Sequence, residues 1–335
     1  DGVSELPGAR MRRVLVIIVN YKSAKLTLEC IRSLESERAG LDLRVIVVEN
    51  DSGDADVLRH ELVQEHVSLV VAERNGGFAY GNNLGMRHAY ESGFIPDYFH
   101  LLNPDTRAYP GAVKKLVEFL DAHPEAGLAG SSIENADGSD WPIAFRFPTL
   151  ASEIDRGMDF GLITRVLDRW VVSRKMGKEP QPIDWVPGAS LMLRREMVEA
   201  VGGLDEQYFL YYEETDFCLK ARRAGYTCWY VPDSRIVHIA GQSTGVTRRD
   251  RKAVKTPAYW FESRRRYFAK NHGVAYAALT DMAFCLALGI GDLKRLIKGD
   301  RLKAPHAVGQ VLRQSPLLPR NRAVSPERAY RPPRE

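Results

Sequence analysis

At 335 residues, with 44% hydrophobic and 27% charged residues and a formal net charge of +4, the chain has the composition of an ordinary soluble globular protein of one or two domains. The charge balance gives no reason to expect a nucleic-acid partner. Cys30, Cys218, Cys228 and Cys285 lie without C-x-x-C spacing, which excludes a zinc ribbon or a disulfide scaffold and fits a reducing cytosol.

Residues 1–10 are polar and read as an N-terminal extension with no signal peptide. Residues 14–19 are a continuous apolar, largely β-branched run, the pattern of a strand buried on both faces of a parallel sheet. Ala24, Leu28, Ile31 and Leu34 then recur at helical spacing. A second strand over 44–48 ends in Glu49-Asn50-Asp51-Ser52-Gly53, and a helix over 56–65 leads to a third strand over 67–71. Strands alternating with helices predict a doubly wound α/β layer, in which ligands bind at the carboxyl ends of strands.

The glycine-rich stretch from Asn75 to Asn83 opens a helix through Met86 and Ala89. Its glycines are spaced G-G-x-x-x-G and follow the third strand, whereas a dinucleotide fingerprint belongs after the first, so hydride-transfer chemistry is not expected. Gly76 and Gly77 permit close backbone approach to a nucleotide, or serve an ordinary turn. The next strand, over 98–102, delivers Asn103-Pro104-Asp105, where the proline stiffens the turn that presents the Asp105 carboxylate. These three residues suit either a divalent cation or a simple turn. A helix over 111–123 and a strand over 127–131 follow, residues 133–182 read as irregular, and 185–193 re-enters the core.

Glu213, Glu214 and Asp216 open an amphipathic helix, where the helix dipole favours negative charge. The aromatic run Tyr208, Phe209, Tyr211 and Tyr212 just upstream adds a wall that would bury part of the acidic site and raise a carboxylate toward general-base range. His238 ends the strand-like Arg235-Ile236-Val237. Downstream, Arg248, Arg249, Arg251, Lys252, Lys255, Arg264, Arg265, Arg266 and Lys270 crowd one region, suiting either a polyanionic neighbour or a solvated helix face. The apolar stretch 274–290, interrupted by Thr280 and Asp281, reads as a helix that packs or lies on a membrane surface. The proline-bearing tail over 305–335 reads as disordered.

Taken in order, Val19-Asn20-Tyr21, residues 47–52, residues 75–83, Leu102-Asn103-Pro104-Asp105-Thr106, Trp185-Val186-Pro187-Gly188-Ala189, Gly203-Leu204-Asp205, residues 213–222 and His238 resemble the family-2 inverting glycosyltransferases of GT-A fold, especially their bacterial rhamnosyltransferase-like and galactofuranosyltransferase-like branch. The resemblance implies a GT-A domain over 11–245, a mixed, mainly parallel sheet, and a basic amphipathic helical extension over 246–304. By it, Asp105 matches the last acid of the family's D-x-D-type motif, whose first acid is here Asn103. His238 matches a further metal or diphosphate ligand, for Mg²⁺ or Mn²⁺. Glu214 matches the catalytic base, with Glu213 and Asp216 as alternatives because the family more often has Asp there. Asn20, Tyr21, Glu49, Asn50, Gly76, Gly77, Asn82, Asn103 and Asp105 are expected on the donor side, and Trp185 and Gly188 beside the acceptor.

The implied activity is transfer of a sugar, best matched to rhamnose from dTDP-rhamnose, onto a saccharide or lipid-linked saccharide in cell-surface glycan synthesis. It would act in the cytoplasm, peripherally at the inner face of the membrane, with oligomeric state left open. Glu49 and Asn103, where the family has aspartates, keep a second reading in view: a nucleotide-sugar or glycan-binding protein without turnover. A metal-dependent nucleotidyltransferase or phosphohydrolase is a third.

Overall fold

The computed structural model describes residues 10–239, 256–302, 304 and 306–333. Its first part alternates strand and helix: β1 (Arg13–Asn20), α1 (Ala24–Ser33), β2 (Asp42–Glu49), α2 (Ala55–Glu61), β3 (Val67–Val71), α3 (Gly77–Glu91) and β4 (Tyr98–Leu102). Branched side chains on both faces of β1 and β2 are stable only beneath helices, and Val14, Val16, Ile17, Val47 and Val48 are wholly buried. β3, β2, β1 and β4 pair in parallel in that order, which brings their carboxyl ends to one edge. α3 lies close on this sheet because it has no side chain at Gly81 or Gly85, where a Cβ would stand 2.7 Å from Val19 and Ile17 respectively.

The chain continues through β5 (Thr106–Ala108), α4 (Ala112–Ala122), β6 (Ala126–Asn135), β7 (Asp140–Trp141), α5 (Leu150–Met158), α6 (Gly161–Val166), β8 (Gln181–Ile183), β9 (Ser190–Arg194), α7 (Arg195–Val201), α8 (Glu213–Arg223) and β10 (Thr227–His238). The sheet extends as β4-β9-β6-β10-β5, with β9 antiparallel to both its neighbours and β10 parallel to β6. The result is the expected mixed, mainly parallel sheet with flanking helices. The stretch 133–182 is more regular than its sequence suggests, because Thr149 and Ser152 cap each other's backbone and start α5. One pairing matters most for the site: β5 runs antiparallel to β10, with Thr106 opposite His238, and the Ile239 N–H donates to the Asp105 carbonyl at 2.9 Å. The turn after β4 is thereby stitched to the end of β10.

A helical C-terminal region follows, as α9 (Ala258–His272), α10 (Val274–Ile297) and α11 (Ala307–Gln314). Two expectations are corrected here. The basic cluster does not present a polyanion surface through Arg264, Arg266 and Lys270, which point inward. Arg264 is buried between Glu153 of α5 and Asp281 of α10, Arg266 pairs with Asp205 at 2.6 Å, and Lys270 reaches both Asp205 (2.9 Å) and Asp216 (2.6 Å). Arg248, Arg249, Arg251, Lys252 and Lys255 lie outside the described residues.

The tail, expected to be disordered, is instead packed on the domain. Val311 is buried, and beyond α11 the chain satisfies its backbone against the loop after α7: the Gly203 N–H donates to the Tyr330 carbonyl and the Glu206 N–H to the Arg328 carbonyl, both at 2.7 Å. The prolines bar helix and sheet interior but leave an extended strap able to accept such bonds.

Candidate active site

The carboxyl ends of β1, β2 and β4, the turn before β9, the start of α8 and the end of β10 surround one cleft of about 450 Å³. Asp105 and His238 meet at its floor, with Oδ1 and Nε2 3.2 Å apart and both residues largely buried. The strand pairing described above brings them together across a long sequence separation. The turn itself is held by the Thr106 hydroxyl, which donates to the Asn103 carbonyl at 2.7 Å, and by the Asn103 N–H, which donates to the Ala189 carbonyl at 3.1 Å. Asn103 also lines the cleft.

The acids of α8 separate by direction. Glu213 and Glu214 line the cleft. One Glu214 carboxylate oxygen accepts the Gly188 N–H at 3.4 Å, while the other, like one oxygen of Glu213, has no protein partner. Asp216 lies about 200° around the helix from Glu214. It accepts from Tyr208 (3.2 Å), Lys270 (2.6 Å) and Asn271 (2.6 Å) in the interior, which makes it an anchor for α9 and not a group at the cleft.

Burial raises both cleft-facing carboxyls, Glu213 well above the usual carboxylate range because the Glu214 charge adds to it; for Glu214 the backbone N–H groups of Glu214 and Gly188 oppose the rise. Glu213 therefore holds its proton to higher pH. The segment entering α8 is strained: Tyr211 and Tyr212 adopt consecutive left-handed conformations, with φ of 69° and 68°, at a cost of about 1–3 kcal/mol each. Stacking of Tyr211 on Tyr259 and an edge contact of Tyr212 with Trp260 hold them there.

Were Glu214 to serve as a general base it would have to be ionised to accept a proton, so its raised carboxyl would move the acid limb of turnover upward. We expect kcat to fall with decreasing pH through a pKa above the ordinary carboxylate value of about 4.3. A pH–rate profile with its limb at or below that value would remove Glu214 from this role.

Of the residues expected on the donor side, Tyr21, Asn50, Gly77, Asn103 and Asp105 line the cleft. The others do not. Asn20 is buried and ties the first loop together, donating to Asp54 (2.9 Å) and accepting from Thr27 (2.8 Å). Glu49 is 1% exposed, and one of its carboxylate oxygens accepts from the Ser52 N–H (2.7 Å) and hydroxyl in its own turn. Asn82 faces inward and donates to the Phe78 carbonyl. Gly76 sits behind, its N–H on Asn50. Gly77 is conformationally required: φ is +82°, and a Cβ would fall 1.8 Å from the Phe209 carbonyl oxygen, which accepts the Phe78 N–H at 3.1 Å.

On the expected acceptor side, Gly188 lines the cleft but Trp185 does not; its ring stacks on Phe145 and its Nε1–H donates to the Arg146 carbonyl at 3.0 Å. Trp141 takes the cleft position, edge-on to His238 with centroids 5.6 Å apart. Asn75, Phe78, Phe209, Tyr211 and Tyr259 are among the other residues that line the cleft. Trp141 sits on a two-residue strand and Tyr259 on a helix far from the motifs, so no local pattern marked either of them.

An oxygen and a nitrogen donor 3.2 Å apart, both facing the cleft, are close enough to be neighbouring ligands of a single ion. Among the described residues no third His, Cys, Asp or Glu completes a cluster. The donor set therefore fits a hard divalent ion that takes its remaining ligands from phosphate oxygens and water, as Mg²⁺ does. It does not fit a closed structural site.

Sequence and structure comparisons point the same way. The Glycosyl transferase family 2 model matches residues 15–179 and the Glycosyl transferase family group 2 model residues 98–289. The chain is 28% identical over 227 residues to the N-acetylglucosaminyl-diphospho-decaprenol L-rhamnosyltransferase of Mycobacterium tuberculosis, covering 64% of this chain and 73% of that protein. It is 24% identical over 277 residues to the dTDP-rhamnosyl transferase RfbF of Shigella flexneri, covering 82% and 86%. In fold it is similar to the mannosyltransferase PcManGT of Pyrobaculum calidifontis, solved with GDP-Man and Mn²⁺, at a TM-score of 0.53 and 18% identity over 90% of this chain and 79% of that one. A second structure of similar fold, GalNAc-T7 with UDP, GalNAc and Mn²⁺, gives a TM-score of 0.56 at 13% identity, over 92% and 58%.

Proposed function

The chain belongs to glycosyl transferase family 2, and from that premise we propose that it is an inverting transferase moving rhamnose from dTDP-rhamnose to a hydroxyl of a saccharide or lipid-linked saccharide during cell-surface glycan synthesis, at the cytoplasmic face of the membrane. The observation that carries this reading is the opening of Asp105, His238 and the Glu214 carboxylate into one cleft. The rhamnosyl donor and the lipid-linked acceptor rest on the two relatives whose names specify them.

In the proposed reaction Glu214 takes the proton of the acceptor hydroxyl, whose oxygen forms a bond to the anomeric carbon as the bond to the nucleoside diphosphate breaks on the opposite face. Gly188 N–H holds one oxygen of that carboxylate, leaving the other to face the hydroxyl. Asp105 and His238 would hold a divalent ion, which when bound offsets the charge gathering on the departing diphosphate. Asn50, Asn75 and Gly77, already bonded to one another, border the nucleotide side, and Phe78, Trp141 and Tyr211 give sugar rings apolar faces.

The test is a donor panel with Mg²⁺ or Mn²⁺ and lipid-linked or short saccharide acceptors. We expect nucleoside diphosphate release that requires both acceptor and metal, is greatest with dTDP-rhamnose, and stops on chelation. Metal-dependent donor binding without product would favour a non-catalytic binder, and pyrophosphate release would favour nucleotidyl transfer.

A further inference from the structure

α10 is apolar on both of its faces. The buried face carries Ala277, Phe284, Ala287 and Leu288 together with Thr280 and Asp281, the last ion-paired with Arg264 of α9. Its exposed positions are apolar: Leu279, Met282, Leu286, Ile290, Leu293 and Ile297 succeed one another at intervals of three and four, on a single stripe rising about 27 Å. Leu286 is 70% exposed and Ile297 80%. Short α6 lies beside the C-terminal half of this stripe, with Lys294 Nζ 3.7 Å from the centre of the Phe160 ring and Arg295 paired with Asp159. It widens the apolar face with Leu162 and Val166, 59% and 69% exposed. Water disfavours such a surface, and contiguous exposed apolar area of this extent marks a contact.

We propose that the outer face of α10, together with α6, docks on an anionic lipid bilayer and lies in its interfacial plane. Charge supports this occupant. Besides Arg295, which pairs with Asp159 and Asp292, the segments 159–170 and 292–301 carry Arg165, Arg169, Lys294, Lys298 and Arg301 against Asp168 and Asp300, a net positive balance that suits anionic headgroups. A second copy of the chain would bring like charges together in a two-fold contact, and a helix–helix seam is narrower and flanked by pairs of opposite sign. Residues 240–255 offer Val246 and Val254 as their only branched apolar side chains, too few to cover the stripe.

α10 has the length and hydropathy of a membrane span. Lifting it out of the domain to span, however, would leave Arg264 without Asp281 and strip the close packing of α5 on α10, where a Cβ at Gly291 would meet the Met158 carbonyl at 2.7 Å. It therefore lies on the bilayer. α9, which packs on α10, also carries Tyr259 into the cleft, so docking would hold the Tyr259 wall of the cleft beside the docked helices. This deepens the lipid-linked acceptor reading and rests on it for the purpose of the contact, not for its existence.

The experiment is vesicle flotation of the full chain with phosphatidylcholine vesicles, with and without a quarter phosphatidylglycerol. We expect binding that is stronger on the anionic vesicles. The double substitution Leu286→Glu with Ile290→Glu should weaken it by more than about tenfold, with an unchanged melting temperature and unchanged turnover on a water-soluble acceptor. Lys298→Glu with Arg301→Glu should lose about tenfold on anionic vesicles only. Wild-type protein that floats with neither vesicle overturns the proposal, as does a dimer in light scattering that the Leu286/Ile290 pair disperses without any vesicle binding. Flotation with no glycosyl transfer would sink the proposed function and leave the docking surface standing.

Discussion

Glu214→Gln is expected to lower kcat by about 10²–10⁴-fold while leaving donor affinity within about twofold, because the substitution keeps the shape and the bond to Gly188 but removes the proton acceptor. The neighbouring acids make the comparison sharp. Glu213→Gln replaces a carboxyl whose hold on its proton is strengthened by burial and by the adjacent Glu214 charge, so its effect on kcat should be far smaller. Asp216→Asn weakens the anchor to Lys270 and Asn271 and should lower the melting temperature more than it changes the chemistry of the folded enzyme. Steady-state kinetics with isothermal donor titrations separate these outcomes. A collapse of kcat in the Glu213 variant with normal turnover in the Glu214 variant would reverse the assignment.

The largest stability effect is expected at Arg264→Met. Arg264 is 2% exposed and lies between Glu153, with a contact of 2.7 Å, and Asp281. Methionine fits the stem but leaves two buried carboxylates short of a cation, a situation that typically costs about 3–5 kcal/mol and on the order of 10 °C in melting temperature. Removing the acids with the cation, by Glu153→Gln and Asp281→Asn, should recover much of the loss.

The pH dependence follows from the direction of the shift at Glu153. Burial alone would raise this carboxyl, but Arg156 and Arg264 together outweigh it and hold it below the usual range. Its contribution is therefore present above the unfolded-state pKa and lost as pH falls through the lower folded-state value. The deficit of the Arg264 variant should accordingly be widest near neutral pH and narrow on acidification. Denaturant titrations across that window giving a constant deficit below about 1 kcal/mol would refute the account.

The fold was legible in the sequence to an unusual depth because its signals are local. Branched runs at residues 14–19 and 44–48 are stable only as buried parallel strands, and a proline after Asn103 fixes a turn at a strand end whatever surrounds it. Asp105 and His238 stood out as polar groups at strand ends, Glu214 was singled out among three acids opening a helix only by the family resemblance, and the structure opens all three into one cleft. Donor-side expectations were less well served at Asn20, Glu49 and Asn82. Asn20 and Glu49 end β1 and β2 and Asn82 lies in the second turn of α3, yet Asn20 bonds Asp54 and Thr27, one Glu49 oxygen accepts from Ser52, and the Asn82 amide donates to the Phe78 carbonyl, choices set by rotamer and loop closure.

What the sequence determined by itself was the order of strands and helices and the residue types at their ends, since hydrophobic period and turn chemistry act over a few neighbouring residues. Which side chains face the cleft was decided by tertiary structure. Glu214 and Asp216 differ by two positions, but that rotation of the helix sends one to the cleft and the other to Lys270 of α9. Arg264, Arg266 and Lys270, a cationic cluster on paper, became interior ion pairs because acids from α5, α10 and the loop after α7 close around them. The outer apolar stripe of α10 was likewise a tertiary outcome: the face with Phe284, Leu288 and Asp281 packs inward, and a helix that is apolar on both sides cannot turn both to the core.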